Sequence, residues 1–321
     1  MRFSNPLSFI AKTAATAALL GMFAASAFAQ DAAQEGDDLC MFDTIIDLRT
    51  GLPTTAARLF GEASTTQLVF LGERHGTPEH VTLASCILEA KTGSRPPVLA
   101  LEHVPANSQR DLDDWRRNSP FDADLFADRV DWESLGWPDF NIYRPLIETV
   151  GASRAHIVAT DQPPLGAVGA SLDALMETAP RYGLQSEDIV EAWVPDMIAG
   201  HCGLIDEDAA ARMALAQMER DQIMAGRLVA GRGRGPSTLY FGGKGHVRMD
   251  RAVPYLIERT DRPPSMLTIA AYTQDEWASV LEAGPVREQG LNALYDIVVV
   301  AGVSSPTDEA LCEQMRALMG G

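Results

Sequence analysis

Glutamate and histidine side chains follow several short apolar runs in this sequence, at the points where those runs end. Three such runs are followed within a few residues by an acid or an imidazole: Glu73, His75, Glu102 and His246. Carboxylates and imidazoles bind divalent metals such as zinc, manganese or iron, and they also serve as general acids and bases without a metal. If these groups share a pocket, they predict either a metal centre with Glu73, His75 and His246 as ligands or an acid–base site in which all four are catalytic.

Basic and glycine residues beside these groups are suited to holding a ligand. Arg74 and Arg248 are candidates for binding a carboxylate or a phosphate. Gly243 and Gly245 would let a ligand approach the backbone closely. A further polar set at helical spacing either lines the same pocket or pairs on the surface: Gln217, Arg220 and Asp221.

Each candidate also has a purely structural interpretation. Glu73 and His75 suit a solvated loop, and Glu102 suits the cap of a following helix. His103 suits a position facing solvent, and His246 suits a tight turn after a strand. Random placement would scatter such residues over both edges of a sheet, so their coincidence at strand ends favours one shared pocket.

The elements that must position these residues are strands and helices in alternation. Six apolar runs bounded by glycine, proline or charge predict strands: 67–71, 97–101, 156–160, 237–241, 266–270 and 296–301. Such continuous apolar runs are typical of strands buried on both faces of a parallel sheet. The predicted fold class is α/β, with a mostly parallel sheet flanked by helices and with helical insertions at 106–150 and 162–236. Ligand sites in such sheets form at the carboxyl ends of the strands.

Two helix boundaries can be read directly. Thr77, Pro78 and Glu79 form the start of a helix, with a capping residue, a proline in the first turn and an acid beside it. Asp206 predicts the start of a long helix that continues to about Leu228 and is ended by a glycine-rich breaker.

Composition and charge exclude several classes of protein. The chain has 321 residues, of which 46% are hydrophobic and 22% are charged, which excludes a disordered chain, a collagen-like repeat and a coiled coil. It has 26 Lys and Arg against 44 Asp and Glu, a formal net charge of −18. An acidic surface repels phosphate backbones, so we expect no binding to nucleic acids.

The N-terminal segment has the layout of a secretory signal peptide. Residues 1–29 contain basic residues but no acid, followed by an alanine-rich apolar stretch and the small-residue pattern Ala27-Phe28-Ala29. The stretch is short for a membrane anchor, and no cysteine at the cleavage site offers a lipid anchor, so we expect no stable membrane insertion. Residues 30–38 predict an acidic flexible leader and 39–321 a single domain, exported to a bacterial periplasm.

The four cysteines are widely spaced and form no C-x-x-C motif. In an oxidising compartment Cys40, Cys86, Cys202 and Cys312 allow two disulfides in three pairings, or free buried thiols. Because Cys40 and Cys312 lie near the two ends of the mature chain, a bond between them is one expectation.

Several familiar motifs are absent. The sequence has no H-E-x-x-H metal motif, no P-loop, no G-x-S-x-G nucleophile elbow and no C-x-x-C-H haem attachment site. The candidate site therefore belongs to none of the corresponding enzyme or haem-protein classes.

The ordered set of motifs between about 70 and 255 resembles the ChaN-like family. The segment 70–80, Phe-Leu-Gly-Glu-Arg-His-Gly-Thr-Pro-Glu-His, is similar to the opening motif of that family. Further matching stretches follow in order: 99–102, 136–137, 143–145, 201–203, 217–225, 243–248 and 250–254. The family groups with the Tiki superfamily, which contains metal-dependent proteases, and it also resembles erythromycin-esterase-type hydrolases.

The resemblance implies an α/β fold and a bacterial cell-envelope protein that binds haem and takes part in iron uptake. It implies that Glu73, His75, Glu102 and His246 are the polar set shared with the related hydrolases. Tyr143 lies inside a matching motif and is a candidate axial ligand of haem, with core packing as its structural alternative. A flat haem pocket at the face of a homodimer is part of the same expectation.

Two departures from the family pattern matter. The chain lacks the lipoprotein cysteine, which puts membrane tethering in doubt. Gly76 stands where the family often has an aspartate that orients the imidazole or helps to hold a cation, which weakens the metal-site interpretation.

Two classes of function follow. The first is a periplasmic haem- or iron-chelate-binding protein involved in iron or haem uptake. The second is a hydrolase, with or without a divalent metal, that uses the Glu/His pocket at the strand ends.

Overall fold

A computed structural model describes residues 40–119, 121–162, 193–286, 288–304 and 306–319. The predicted signal peptide (1–29), the predicted leader (30–38) and positions 163–192 of the second predicted insertion lie outside the described residues. The chain divides into two units, Met1–Met41 and Phe42–Gly321. Only Cys40 and Met41 are described in the first unit, so the fold below is that of the second.

Eight strands form one sheet in the order β2-β1-β8-β7-β3-β6-β4-β5. The strands are β1 (Thr44–Asp47), β2 (Leu52–Pro53), β3 (Leu68–Glu73), β4 (Val98–Pro105), β5 (His156–Asp161), β6 (Thr238–Gly243), β7 (Met266–Tyr272) and β8 (Ile297–Val300). The six strands from β8 to β5 run parallel, whereas β1 is antiparallel to both β2 and β8. The predicted α/β class with a mostly parallel sheet is confirmed.

Ten helices flank this sheet in the described part of the chain. They are α1 (Ala56–Thr65), α2 (Pro78–Ala90), α3 (Gln109–Asn118), α4 (Ala123–Val130), α5 (Phe140–Ser153), α6 (Val194–Gly200), α7 (Glu207–Gly231), α8 (Val253–Glu258), α9 (Gln274–Glu282) and α10 (Asp308–Met319). The helical insertion predicted at 106–150 contains α3, α4 and all but the last three residues of α5. No helix of the described residues is long and apolar enough to cross a bilayer.

The core lies in two layers, one on each face of the sheet. Along β3, Val69 and Leu71 pack with helices α1, α2 and α5, whereas Leu68 and Phe70 pack against α7 and α8. All six residues of β3 are buried, and so are all six of β6. Burial on both faces explains why these strands are continuous apolar runs in the sequence.

Helix ends follow the sequence signals. Helix α2 begins at Pro78, one residue after Thr77, although the Thr77 hydroxyl makes no capping hydrogen bond. Helix α7 begins after Asp206, whose carboxylate accepts a hydrogen bond from the Ala209 amide, and it ends at Gly231. The long helix predicted from Asp206 is confirmed.

The expected bond between Cys40 and Cys312 is wrong. Cys312 in α10 is bonded to Cys202, which lies in the turn after α6. Each of the other two cysteines, Cys40 and Cys86, is in a disulfide as well, so none of the four cysteines is a free thiol. Closeness to a chain end therefore did not predict the partner, because the fold brings α10 against the turn after α6.

Candidate functional site

The carboxyl ends of β3, β4 and β6 place the predicted residues at one edge of the sheet. Glu73 is the last residue of β3 and pairs in register with Gly243, the last residue of β6. Glu102 lies near the end of β4, on the other side of β6. His75 follows β3 by two residues, and His246 lies in the short 3₁₀ turn after β6. The register of β3, β6 and β4 therefore brings these four side chains to the same edge of the sheet, as predicted.

The Glu73 carboxylate is the centre of a hydrogen-bonded cluster on one face of the sheet. Its Oε1 accepts hydrogen bonds from His103 Nε2 at 2.7 Å, His75 Nδ1 at 2.9 Å and the Tyr143 hydroxyl at 3.2 Å. Burial raises the pKa of Glu73, but hydrogen bonds from His103 and His75 outweigh it and hold the pKa below its ordinary value. Glu73 is therefore a buried carboxylate anion at neutral pH.

His75 is the member of this cluster that reaches the cavity. Burial lowers its pKa, whereas the hydrogen bond to Glu73 and the charges of Glu102 and Glu73 raise it, and the net pKa lies above the ordinary value. The imidazole is 34% exposed, and its Nδ1 is held by Glu73. Its Nε2 is therefore left for a ligand or a reacting proton. This is the arrangement that a general base or a metal ligand needs.

Tyr143 lies behind Glu73 and does not line the cavity. Its hydroxyl accepts a hydrogen bond from the Gly76 amide at 3.0 Å and donates one to Glu73. The residue is 2% exposed, and burial followed by the charge of Glu73 raises the pKa of the phenol. A phenol held this way orients Glu73 and the turn at Gly76.

A second cluster lies around His246 on the other face of the sheet. The imidazole donates from Nε2 to Glu102 at 3.1 Å and from Nδ1 to Asp221 at 2.5 Å. Burial alone lowers its pKa, but the charges of Glu102 and Asp221 outweigh burial and raise the pKa to about 10. His246 is thus an imidazolium cation whose two N–H groups are both used.

Glu102 is saturated by donors. Its Oε2 accepts from the Gly243 amide at 2.6 Å, and its Oε1 accepts from Arg220 at 3.1 Å and from His246. Burial raises its pKa, but these positive neighbours, His246 first, hold the pKa well below the ordinary value. Glu102 acts as a fixed anion that orients His246, Arg220 and the end of β6.

One cavity of about 670 Å³ joins the two clusters, and we call it the strand-end cavity. Its lining residues are Glu73, Arg74, His75, Glu102, Trp137, Gln217, Arg220, Gly243, Lys244, Gly245, His246, Glu276, Pro306 and Leu311. Seven of the nine predicted site residues line it, and the two that do not are Tyr143 and Arg248. A volume of this size is in the ordinary range for a small-molecule site.

Both predicted arginines are occupied by carboxylates. Arg248 pairs with Asp250 at 2.7 Å and Asp196 at 2.8 Å, away from the cavity. Arg74 lies at the mouth of the cavity and pairs with Asp308 at 2.5 Å and Glu276 at 3.3 Å.

Sequence reasoning missed His103 as a site residue. It is fully buried among Trp132, Trp137, Tyr143 and Phe241 instead of facing solvent. Its position directly after Glu102 in β4 was a usable signal, because successive strand residues face opposite sides of a sheet. Glu102 belongs to the His246 cluster, and its neighbour therefore belongs to the Glu73 cluster.

The helical set on α7 enters the same site. Asp221 and Arg220 bind His246 and Glu102, and Gln217 places its amide 2.7 Å from the His246 ring. Of the two alternatives open from the sequence, lining the pocket describes Gln217 and Arg220, and Asp221 lies behind His246.

The residues that fit a metal ion differ from the predicted three. Among the described residues, the ligand atoms of Glu73, His75 and His103 lie within 4.8 Å of one another. Glu73 Oε2 is buried and makes no hydrogen bond, which leaves one carboxylate oxygen for an ion. His246 does not belong to this set, because both its ring nitrogens carry protons that are bound by carboxylates.

A family model described as haem-binding uptake, Tiki superfamily, ChaN matches residues 59–257. The chain belongs to this family. The match contains β3, β4, β6 and α7, and thus every residue of the two clusters. It ends before β7, β8 and α10, so this ChaN-family protein has cavity residues that lie beyond the matched range.

The solved structure of one ChaN protein shows the same fold. A structure of ChaN of Campylobacter jejuni, described by its cofacial heme binding, aligns with a TM-score of 0.61 and 16% identity over 80% of this chain and 95% of that chain. A succinoglycan biosynthesis protein aligns with a TM-score of 0.47 and 11% identity over 83% and 95% of the two chains. A mutant erythromycin esterase in its open conformation gives 0.44 and 11% over 78% and 95%. The last two scores are too low to carry an argument. No curated protein matches the chain.

Proposed function

We propose that this ChaN-family protein is a periplasmic haem- or iron-chelate-binding protein that serves iron or haem uptake. The observation that carries the proposal is the half-exposed His75 imidazole, which lies in a 670 Å³ cavity and is held from behind by Glu73. The location rests on the signal-peptide pattern of residues 1–29.

The residues around His75 fit a flat iron chelate. Its Nε2 is available as an axial ligand, and hydrogen bonding of Nδ1 to a carboxylate is the usual way to strengthen and orient such a ligand. The Trp137 ring lies 4.9 Å from the imidazole and offers an apolar surface to a ring system. When an iron chelate is bound, its iron would supply the Lewis acidity that attaches the chelate to the His75 imidazole.

Haemin titration of the purified protein tests this proposal. We expect a saturable Soret shift at about one haem per chain, lost in His75→Ala and kept in Tyr143→Phe. His156→Ala is the matched control, because His156 lies at the start of β5, at the opposite end of the strands. A shift that does not saturate would overturn the proposal, and loss of the shift in Tyr143→Phe alone would move the axial ligand to Tyr143.

A homodimer belongs to the same proposal, since a haem pocket at a dimer face would enclose the exposed side of the ligand. Light scattering with and without haemin measures it. We expect twice the monomer mass in the presence of haemin, and a monomer at every haemin concentration would exclude this part of the proposal.

A hydrolase is the second candidate, favoured by the Glu73–His75 pair facing the His246 cation across one cavity. His75 Nε2 would take a proton from an attacking water, and the Glu73 anion would stabilise the imidazolium that results. If a divalent metal is bound, Glu73, His75 and His103 would hold it, and it would polarise a substrate carbonyl.

Hydrolysis of p-nitrophenyl esters, with and without a chelator, tests the second candidate. We expect His75→Ala to lower the rate by about 10²-fold to 10⁴-fold, as for loss of a general base, and His156→Ala to leave it unchanged. A rate equal to that of the buffer in the unmodified protein would exclude an esterase of this kind.

A further inference from the structure

The C-terminal residues 306–319, which we call the C-terminal strap, form one wall of the strand-end cavity. Pro306 and Leu311 line the cavity directly. The strap lies beyond the residues matched by the family model, which end at 257. The wall therefore lies outside the residues that the family model matches.

Two anchors hold the strap. The Arg74 guanidinium donates to the Asp308 carboxylate at 2.5 Å and to the Pro306 carbonyl at 3.0 Å. The disulfide between Cys202 and Cys312 ties α10 to the turn after α6, across 110 residues of sequence. One anchor thus fixes the start of the strap at the end of β3, and the other fixes its middle.

In the first anchor, Asp308 occupies the Arg74 guanidinium, which is the group that a ligand would use. Arg74 directly precedes His75, and its guanidinium lies at the cavity mouth with 18% of the side chain exposed. A guanidinium at such a mouth is suited to a carboxylate of an incoming molecule. Asp308, which is 68% exposed, supplies a carboxylate from the protein itself.

We propose that the C-terminal strap is autoinhibitory, with Asp308 standing in for the carboxylate of a ligand at Arg74 and the Cys202–Cys312 disulfide keeping it there. Release of the strap removes Asp308 and the Pro306 carbonyl from Arg74, which keeps Glu276 as a partner, and it widens the approach to His75. The ligand class is an organic carboxylate whose acid group pairs with Arg74 while the rest of the molecule enters beside Trp137 and His75. The ligand part of this inference rests on the proposed function, whereas the closing of the cavity by the strap does not.

An exposed ion pair is weak by itself, and the disulfide makes it effective. Pairs of this kind contribute about 0.2 to 1 kcal/mol, which corresponds to a change of only about 1.4-fold to 5-fold in an equilibrium. A covalent tether keeps Asp308 near Arg74 at a high effective concentration, so an external carboxylate must compete with an internal one. Loss of the tether should thus have the larger effect.

Chemical modification of His75 tests the strap without any ligand. Diethyl pyrocarbonate acylates accessible imidazole nitrogens, and peptide mass spectrometry measures the rate at each histidine. We expect about a twofold to fivefold faster reaction of His75 in Asp308→Asn and about a tenfold faster one in the Cys202→Ser/Cys312→Ser double variant. His156 is the internal control and should react at an unchanged rate.

Glu309→Gln is the matched charge control, because it removes an acid from the same turn of α10. We expect its His75 rate to equal that of the unmodified protein. A general reductant is unsuitable, since Cys40 and Cys86 are disulfide-bonded as well. Equal His75 rates in all variants would overturn the proposal, and so would an equal acceleration in Glu309→Gln and Asp308→Asn.

Haemin, a dicarboxylate, is the probe for the ligand part. We expect about a twofold to fivefold tighter haemin affinity in Asp308→Asn than in Glu309→Gln. If haemin binds to none of the variants but His75 reacts faster in those that release the strap, the autoinhibitory role of the strap is supported and the proposed haem function is overturned. If haemin binds equally to all variants and the His75 rates are equal, the proposed haem function is supported and the autoinhibitory role of the strap is overturned.

Discussion

The Glu73 carboxylate accepts three hydrogen bonds through a single oxygen, from two imidazoles and a phenol. Its neighbour across the sheet edge, His246, donates to two carboxylates. Both groups are buried, and each is kept in its charged form by partners of the opposite charge or by donors. At the scale of single residues the site is therefore a pair of fixed charges, with His75 as the group between them that is free to react.

Glu73→Gln tests the importance of the first charge. The amide is neutral, so the two imidazoles lose their anionic partner, and we expect a loss of about 2 to 4 kcal/mol in the free energy of unfolding in urea. The pKa of His75 should fall at the same time, since Glu73 raises it. Glu89→Gln on the exposed side of α2 is the control and should change stability by less than about 0.5 kcal/mol. A more stable Glu73→Gln variant would contradict this account.

The second charge predicts a pH dependence. The pKa of His246 is about 10 in the folded protein, above the ordinary value of about 6.5 expected when unfolded. A raised pKa contributes stability that is fully present below about pH 6.5 and is lost as the pH rises through about 10. We expect the urea concentration at the midpoint of unfolding to decrease as the pH is raised from about 6.5 to about 10. The decrease should be smaller in His246→Asn.

Nitrogen-15 NMR of the imidazole rings measures the same property directly. We expect one histidine to remain protonated up to about pH 10 and to be absent from the spectra of His246→Asn. Titration of all six histidines below pH 8 would disprove the raised pKa of His246.

At the scale of elements, the ends of β4 and β6 approach so closely that side-chain size matters. A Cβ on Gly242 would lie 2.5 Å from Glu102 Oε2 and 2.8 Å from the Tyr240 hydroxyl. A Cβ on Gly245, three residues later, would have no heavy atom within 4 Å. Gly242 thus makes room for Glu102, whereas Gly245 has no such packing reason.

Gly242→Ala and Gly245→Ala form a matched pair. We expect Gly242→Ala to lower the free energy of unfolding by about 1 to 3 kcal/mol because the methyl group overlaps Glu102. Gly245→Ala should leave stability within about 0.5 kcal/mol, and its effect, if any, should be on ligand affinity. Equal stability of the two variants in urea would show that Glu102 can move away at little cost.

The six buried strands could be predicted at this scale because both of their faces are covered. The run 67–71 became β3 at Leu68–Glu73, and the run 237–241 became β6 at Thr238–Gly243. Strands β1 and β2 were not predicted, because they have four and two residues, β2 is the edge strand, and β1 beside it has only one buried residue. A short, half-exposed edge strand lacks the continuous apolar run by which buried strands are recognised.

At the scale of the whole molecule, charge opposes the proposed ligand. The chain has a formal net charge of −18, and haemin carries two carboxylates. Long-range repulsion between them is screened by salt, with a Debye length that shrinks from about 30 Å at 0.01 M to about 10 Å at 0.1 M. Binding must therefore depend on short-range contacts at the cavity.

The association rate of haemin should consequently rise with ionic strength. We expect it to increase severalfold between about 0.01 and 0.1 M salt in stopped-flow absorbance measurements, since like charges slow the encounter. Sodium chloride and potassium chloride at equal ionic strength should give equal rates. A rate that falls with salt would indicate that local positive charge at Arg74 and Lys244 steers the ligand instead.

The sequence by itself determined the fold class, the edge of the sheet where the site lies, and the Glu73, His75, Glu102 and His246 set. Burial imposes a hydrophobic pattern on parallel strands, and the polar residues that interrupt this pattern mark the strand ends. The tertiary structure decided how those residues pair. It assigned His103 to Glu73 and Asp221 to His246, placed Tyr143 behind the cavity, and joined Cys202 to Cys312. These contacts link residues distant in the chain, and each depends on strand register and on which face of a helix or sheet a side chain occupies, which no local pattern records.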